Sequence, residues 1–305
     1  MIDKKGSKTP LKSRGLRPSA TQKKGSVALA QKKGSVTLAQ KKRAVPLTLT
    51  TDFGYQDPFV GMMKGVILGI NPSASITDIT HGITPQSVTE AALVIGESYR
   101  YFPEGTIHVV VVDPGVGSGR RPILASSDGH FFVGPDNGVL TAVFGESPVV
   151  IHLTEERYFL RAGGSTFHGR DVFAPVAAWL SRGVKMEKFG RPISDYITLH
   201  LPTPRVEEDG VKGEVLHIDR FGNAITNIRG RDLEPLMRKA PAPRVVADRW
   251  EMDMRRFYSD AGDNKPHALI NSSGLMEIFV YKGSAAGELG LEVGGAVSVK
   301  APRRG

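Results

Sequence analysis

The chain has 305 residues, 40% of them apolar, with 35 Gly, 20 Pro and no Cys. That suits one large or two medium domains with real cores, and the missing cysteines exclude a disulfide scaffold, a thiolate zinc site and a cysteine nucleophile. Thirteen of the 40 basic residues but only one of the 31 acidic ones (Asp3) fall within the first 43, so the rest of the chain is slightly acidic and the tail alone is basic.

That tail repeats itself. QKKGSVALA (22–30) is followed by QKKGSVTLA (31–39) and a decayed copy, QKKRAVPL (40–47). Three short copies with two large apolar positions each, a Val and a Leu, cannot bury a core, so residues 1–45 are expected to be disordered. A basic arm of this kind either binds nucleic acid or an anionic surface through counterion release, or is a solvated appendage. The opening residues lack the apolar segment of a secretory signal and no run approaches 18 apolar residues, so a cytoplasmic location is expected and no membrane span.

From Pro46 the texture changes. LTLTTDF (47–53) predicts a buried strand, GMMKGVILGI (61–70) a short helix and SITDIT (75–80) a second strand. Thr84 as N-cap with Pro85 at the first helical position predicts a helix with Val88, Ala91, Ala92, Ile95 and Tyr99 on one face. TIHVVVVD (106–113) is a β-branched run expected of a strand covered on both faces. Then come a hairpin turning at Asp128-Gly129, a strand at 149–153, and a helix over 171–183 closing at Gly183. Beyond about residue 200 only short strands are legible, at 211–219, 223–228, 266–273 and 275–281. The fold class is α/β: a mainly parallel sheet with flanking helices over 46–200, then a smaller all-β, barrel-like domain over 208–302.

Two strands end in carboxylates, Asp52 and Asp113, where ligands sit in open α/β sheets. Each could hold a ribose, ligate a metal or merely cap a turn. GVGSGR (115–120) is not a dinucleotide fingerprint, because Arg120 stands at the third glycine position and a strand follows. That disfavours a nicotinamide-dependent oxidoreductase. FHGRD brings His168 just before a helix, where it could join an Asp and an Arg to orient and deprotonate a water. No paired-His spacing suggests a metal, and none is expected. In DRFGNAITN (219–227), Phe221 beside Asn223 can stack on and hydrogen-bond a base. These residues alone point to a nucleoside-like ligand between two domains.

Together TDFGYQDPFVG, VVDPGVGSGR, GPDNGVL, TFHGRD, DRFGNAITN and INSSG resemble, in order and spacing, the S-adenosylmethionine hydroxide adenosyltransferases, relatives of the fluorinating and chlorinating adenosyl transferases. The resemblance runs from Leu47 to Ser298. It implies hydrolysis of S-adenosylmethionine to adenosine and methionine, without cofactor, by a trio at Asp113, Arg120 and His168. It further implies ribose binding at Asp52 with Asp57 nearby, adenine contacts at Phe221, Asn223 and the Gly283-Ser284-Ala285 backbone, and methionine contacts at Asp219 and Ser272. The halogenases carry Tyr at the position of Asp113, and Tyr-Ser, whose Ser helps hold halide, at that of His168-Gly169. Gln86 and Ile225 depart from aromatic positions of the halogenase pocket. A homotrimer with sites between subunits is implied as well. Halide-dependent 5′-halogenation and a non-catalytic nucleoside-binding protein remain the alternatives.

Overall fold

The computed structural model describes residues 45–161, 166–240 and 242–301, so the basic tail through residue 44, with all but the last three residues of its repeats, lies outside the described residues. The first half is built on β1 (Pro46–Thr51), α1 (Phe59–Ile70), β2 (Ser75–Thr80), α2 (Val88–Ser98) and β3 (Ile107–Val111). The hairpin β4 (Pro122–Ser127) and β5 (His130–Pro135) follows, then β6 (Val149–Leu153), α3 (Ala174–Ser181) and β7 (Gly190–Ile193). The strands form one sheet in the order β2-β1-β3-β5-β4-β6-β7. The first four are mutually parallel and the rest pair antiparallel.

Alternation along β3 explains its unbroken apolar run. Val109 and Val111 join Leu47, Leu49, Met63, Ile67 and Ala177 under α1 and α3, whereas Val110 and Val112 join Ala91, Ile95 and Tyr99 under α2. Both faces are dry, so both parities must be apolar.

The helix expected to open at Thr84 begins instead at Val88. Gln86 adopts φ +68°, which breaks the helical path, and Ser87 becomes the N-cap, its hydroxyl accepting from Glu90 N at 3.4 Å. The helix expected from Asp171 is π-helical over Gly169–Phe173 before α3 begins.

The second half comprises β8 (Arg205–Val206), β9 (Gly210–Ile218), β10 (Ala224–Arg229), α4 (Gly230–Lys239), β11 (Arg244–Ala247), β12 (Trp250–Asp253), β13 (Pro266–Ile270), β14 (Leu275–Val280), α5 (Ala285–Leu289) and β15 (Ala296–Lys300). Its sheet is wholly antiparallel, β12-β11-β15-β9-β10-β14-β13, with β8 on β9. A bridge from Met254 to Ala268 ties the two ends of that path, which makes it a nearly closed barrel. α4 and α5 were not legible in the strand pattern. α4 is held by Asp232, which accepts from Arg229 N at 2.8 Å, and by buried Leu233 and Leu236; its charge and its internal Pro235 hide that signal.

His108 is fully buried on β3, its ring stacked on Phe132 and its Nδ1 2.7 Å from the Thr48 hydroxyl. Burial, and secondarily the charge of His130, push its pKa down to about 3. A folded-state pKa below the unfolded value means that stability is full above about pH 6.5 and is lost as pH falls toward 3. Replacing His108 with Leu is expected to flatten the pH dependence of unfolding free energy between pH 4 and 6 by about 1.4 kcal/mol per pH unit, measured by denaturant titration.

Candidate active site

β1 and β3 lie side by side, Thr51 opposite Val111, while α1 leaves β1 over one face of the sheet and α2 approaches β3 over the other. The strand order therefore turns between β1 and β3, and the crevice beyond their carboxyl ends is flanked by Asp52 and Asp113. After Asp113 the chain doubles back. Val116 N donates to Asp113 O at 3.2 Å, Ser118 N to Gly115 O at 3.1 Å, and Gly117 takes φ +80°, a conformation that favours glycine. The Ser118 hydroxyl closes the loop, donating to Gly115 O and accepting from Arg120 N.

This turn returns Arg120 to Asp113. Arg120 Nε donates to Asp113 Oδ1 at 2.8 Å and its Nη2 to Oδ2, a bidentate fork with both side chains more than nine-tenths buried. The neighbouring Arg121 does different work. It donates to buried Asp136 at 2.8 Å and to Asp195 at 2.8 Å, which pins the start of β4 and leaves Arg120 to the site.

His168 arrives from the other side of the crevice. Phe167 packs edge-on against Phe53 and Phe59, with ring centroids 5.6 and 5.3 Å apart, so the segment before the π-helix is fastened over the end of β1. Arg120 Nη2 lies 2.8 Å from His168 Nδ1. A guanidinium can only donate, so Nδ1 accepts and the neutral ring carries its proton on Nε2. Burial, then the charge of Arg120, hold the His168 pKa below its ordinary value, against the weaker opposing pull of Asp113 and Asp171. Among the described residues buried Arg120 Nη1 has no hydrogen-bond partner, and the guanidinium rests 5.3 Å from the centre of the Phe173 ring. The result is a clamped, desolvated cation with one donor group to spare beside a neutral imidazole that donates.

Asp52 is half-buried and accepts from Gln86 N at 2.8 Å through Oδ2; Asp57 is exposed in the turn before α1. A second cluster forms in the barrel. Asp219 Oδ1 accepts from Phe221 N and Asn223 N, both at 2.9 Å, so this carboxylate builds its own loop, and Oδ2 also takes the Asn223 amide at 3.2 Å. The loop meets the start of α5, where Ala286 N donates to Gly222 O at 2.8 Å and Ala285 is buried. Asp219, Phe221, Asn223, Tyr258 and Lys282 line a cavity of about 620 Å³, and Phe221 stands 76% exposed at its edge. Ser272 is exposed in the β13–β14 turn, and no hydrogen bond among the described residues joins it to Asp219. None of Asp113, Arg120 and His168 lines the Phe221 cavity. The trio, and the barrel cluster, are thus each assembled, but separately. Arg121, Asp136 and the three phenylalanines behind His168 escaped the sequence reading, although an acid in GPDNG and a second Arg beside the first were the available signals.

Sequence models of the SAM hydroxide adenosyltransferase N-terminal and C-terminal domains match residues 47–190 and 213–298. The chain belongs to the SAM hydroxide adenosyltransferase family. It is 36% identical over 258 residues to a protein of Thermus thermophilus named (R)-S-adenosyl-L-methionine hydrolase, covering 82% of this chain and 97% of that one. A fluorinase of Nocardia brasiliensis is more distant, at 29% identity over 83% of this chain and 96% of its own. An uncharacterized conserved protein of Thermotoga maritima superposes with a TM-score of 0.78 at 34% identity, covering 83% of this chain and 99% of that one. The family's two domains thus correspond to the two sheets.

Replacing Arg120 with Gln is expected to raise the His168 pKa, by removing the positive neighbour, and Asp113→Asn to lower it. In both variants it stays below the ordinary value because burial dominates. An NMR titration of the His168 ring protons reads both directions.

Proposed function

We propose that this chain hydrolyses S-adenosyl-L-methionine to adenosine and L-methionine. The observation that carries the reading is the Asp113–Arg120–His168 cluster at the carboxyl ends of β1 and β3, in a chain of this family. In the reaction a water oxygen bonds to C5′ of the substrate as the C5′–sulfur bond breaks. The electron pair goes to sulfur, which leaves as a neutral thioether and needs no general acid.

The difficulty lies in the water, whose pKa in bulk is about 15.7. Arg120 Nη1 and the His168 Nε2–H supply donors that favour the developing hydroxide. His168 cannot take the proton at Nδ1, which faces the guanidinium. Asp113 is the acceptor left in the trio, since each oxygen keeps a lone pair beyond the Arg120 fork. An anionic nucleophile approaching a sulfonium cancels charge, so the buried setting suits this step. Asp52 would take the ribose hydroxyls, with Asp57 near the mouth of the crevice, and Phe221, Asn223 and the backbone at Ala285 would receive the adenine. Asp219 and Ser272 would face the methionine end. Asp113 and Gly169, standing where halogenases carry Tyr and Ser, weigh against 5′-halogenation.

Turnover in ¹⁸O-labelled water is expected to place the label on the 5′ oxygen of adenosine, without added halide. His168→Ala and Asp113→Ala are each expected to lower kcat by at least about a hundredfold, in line with the loss of a positioned donor or base. Wild-type rates in both variants would remove the trio from the chemistry.

The separation of the trio from the Phe221 cavity supports a homo-oligomer, a trimer by resemblance to the family, in which one subunit's barrel completes its neighbour's site. Inactive Asp113→Ala and Asn223→Ala proteins, dissociated and reassembled together, are then expected to regain part of the wild-type activity. No recovery would mean that a single chain builds the whole site. We assign the reaction to the cytoplasm; among the described residues no helix is long and apolar enough to cross a membrane.

A further inference from the structure

Beneath Asp52 lies a polar network that the hydrolytic reading leaves unused. His81 is the hub. Its side chain is wholly buried, its Nδ1 lies 2.8 Å from the Thr51 hydroxyl, and its backbone carbonyl accepts from Gly54 N at 2.8 Å. Nε2 faces Asp78 Oδ1 at 3.1 Å, a polar contact somewhat off the line of a hydrogen bond. Asp78 in turn receives Lys64 Nζ at 2.7 Å and the Tyr55 hydroxyl at 3.4 Å, and the Tyr55 ring stands edge-on to the imidazole.

The directions of these contacts can be worked out. Burial outweighs the pull of Asp78 and keeps the His81 pKa below its ordinary value, so the ring is neutral at pH 7. With Asp78 facing Nε2, the proton sits there, and Nδ1 accepts from the Thr51 hydroxyl. The Thr51 oxygen is then free to accept Phe53 N at 3.2 Å. Thr51, Phe53 and Gly54, the neighbours of Asp52 on both sides, are therefore all held through one histidine. On the outer side the strained backbone of Gln86, φ +68°, delivers its N–H to Asp52 Oδ2. Among the described residues one carboxylate oxygen is engaged, and the other is open to a ligand.

We propose that His81, oriented by Asp78, is a positioning residue that sets the Asp52 carboxylate to receive the vicinal hydroxyls of the substrate's ribose. This rests on the reading of Asp52 as the ribose-binding group. Neither His81 nor Asp78 touches substrate; both act through the Thr51–Gly54 turn. Their loss is therefore expressed in recognition of the two hydroxyls and not in the hydroxide step.

The test compares adenosine with 2′,3′-dideoxyadenosine as competitive inhibitors of the full-length enzyme, alongside KM and kcat for S-adenosylmethionine. Wild type is expected to prefer adenosine by about tenfold or more, the scale of one or two hydrogen bonds to a charged acceptor, and Asp52→Ala to erase the preference. His81→Leu and Asp78→Ala are expected to erase most of it and to raise KM, with kcat within about threefold, a change too small to reflect loss of a catalytic group. His81→Asn, whose amide oxygen can still accept from Thr51, is expected to restore part of the preference. If the preference survives in both His81→Leu and Asp78→Ala while Asp52→Ala removes it, the positioning role is wrong and the hydrolytic reading stands. If Asp52→Ala keeps the preference, the ribose assignment itself fails. Should His81→Leu not fold by circular dichroism, Asp78→Ala decides alone: a preference that survives there overturns the positioning role.

Discussion

One guanidinium organises the side chains gathered beyond the carboxyl ends of β1 and β3. Arg120 spends two nitrogens on the Asp113 fork and shares one of them with His168 Nδ1, and in doing so fixes three things together. It neutralises a buried carboxylate that would otherwise be costly to desolvate. It dictates which imidazole nitrogen carries the proton. It also adds to burial in keeping the imidazole neutral, because a second positive charge against it is unfavourable. Lysine could supply the charge but not the fork, since an ammonium is a point donor without a fixed plane.

The fold serves that guanidinium from both flanks. The loop between Asp113 and Arg120 is short, stitched by its own serine, and anchored downstream by the Arg121–Asp136 pair. The opposite wall is fastened by aromatic packing among Phe53, Phe59 and Phe167, which couples the turn after Asp52 to the segment bearing His168. Strand ends supply the carboxylates, a loop supplies the arginine, the start of a helical turn supplies the histidine, and rigid elements behind them limit their freedom.

Much of this was legible from residue order. β1 and β3 announce themselves because strands covered on both faces must be apolar at every position, and a carboxylate directly after such a run stands out. The turn at Asp128-Gly129 was equally clear, since both residues take the positive φ that Asp-Gly favours. What stayed hidden depends on contacts distant in sequence. Gln86 delays α2 because Asp52, 34 residues earlier, claims its N–H. α4 is masked by charge and proline, and its reason to form is burial of Leu233 and Leu236 against the barrel. The π-helical turn after His168 has no local signature at all. His81, flanked by Thr80 and Gly82, looks like a loop residue until Thr51 and Asp78 close around it.

Gly169 carries a consequence for redesign. A β-carbon there would lie 3.0 Å from the Phe167 ring and 3.2 Å from the Met63 sulfur, both part of the wall behind His168. Grafting a serine at this position to imitate a halide cradle would push against the aromatic packing that holds the imidazole in place. Conversion toward halogen chemistry thus calls for smaller neighbours at 63 or 167 before any change at 169.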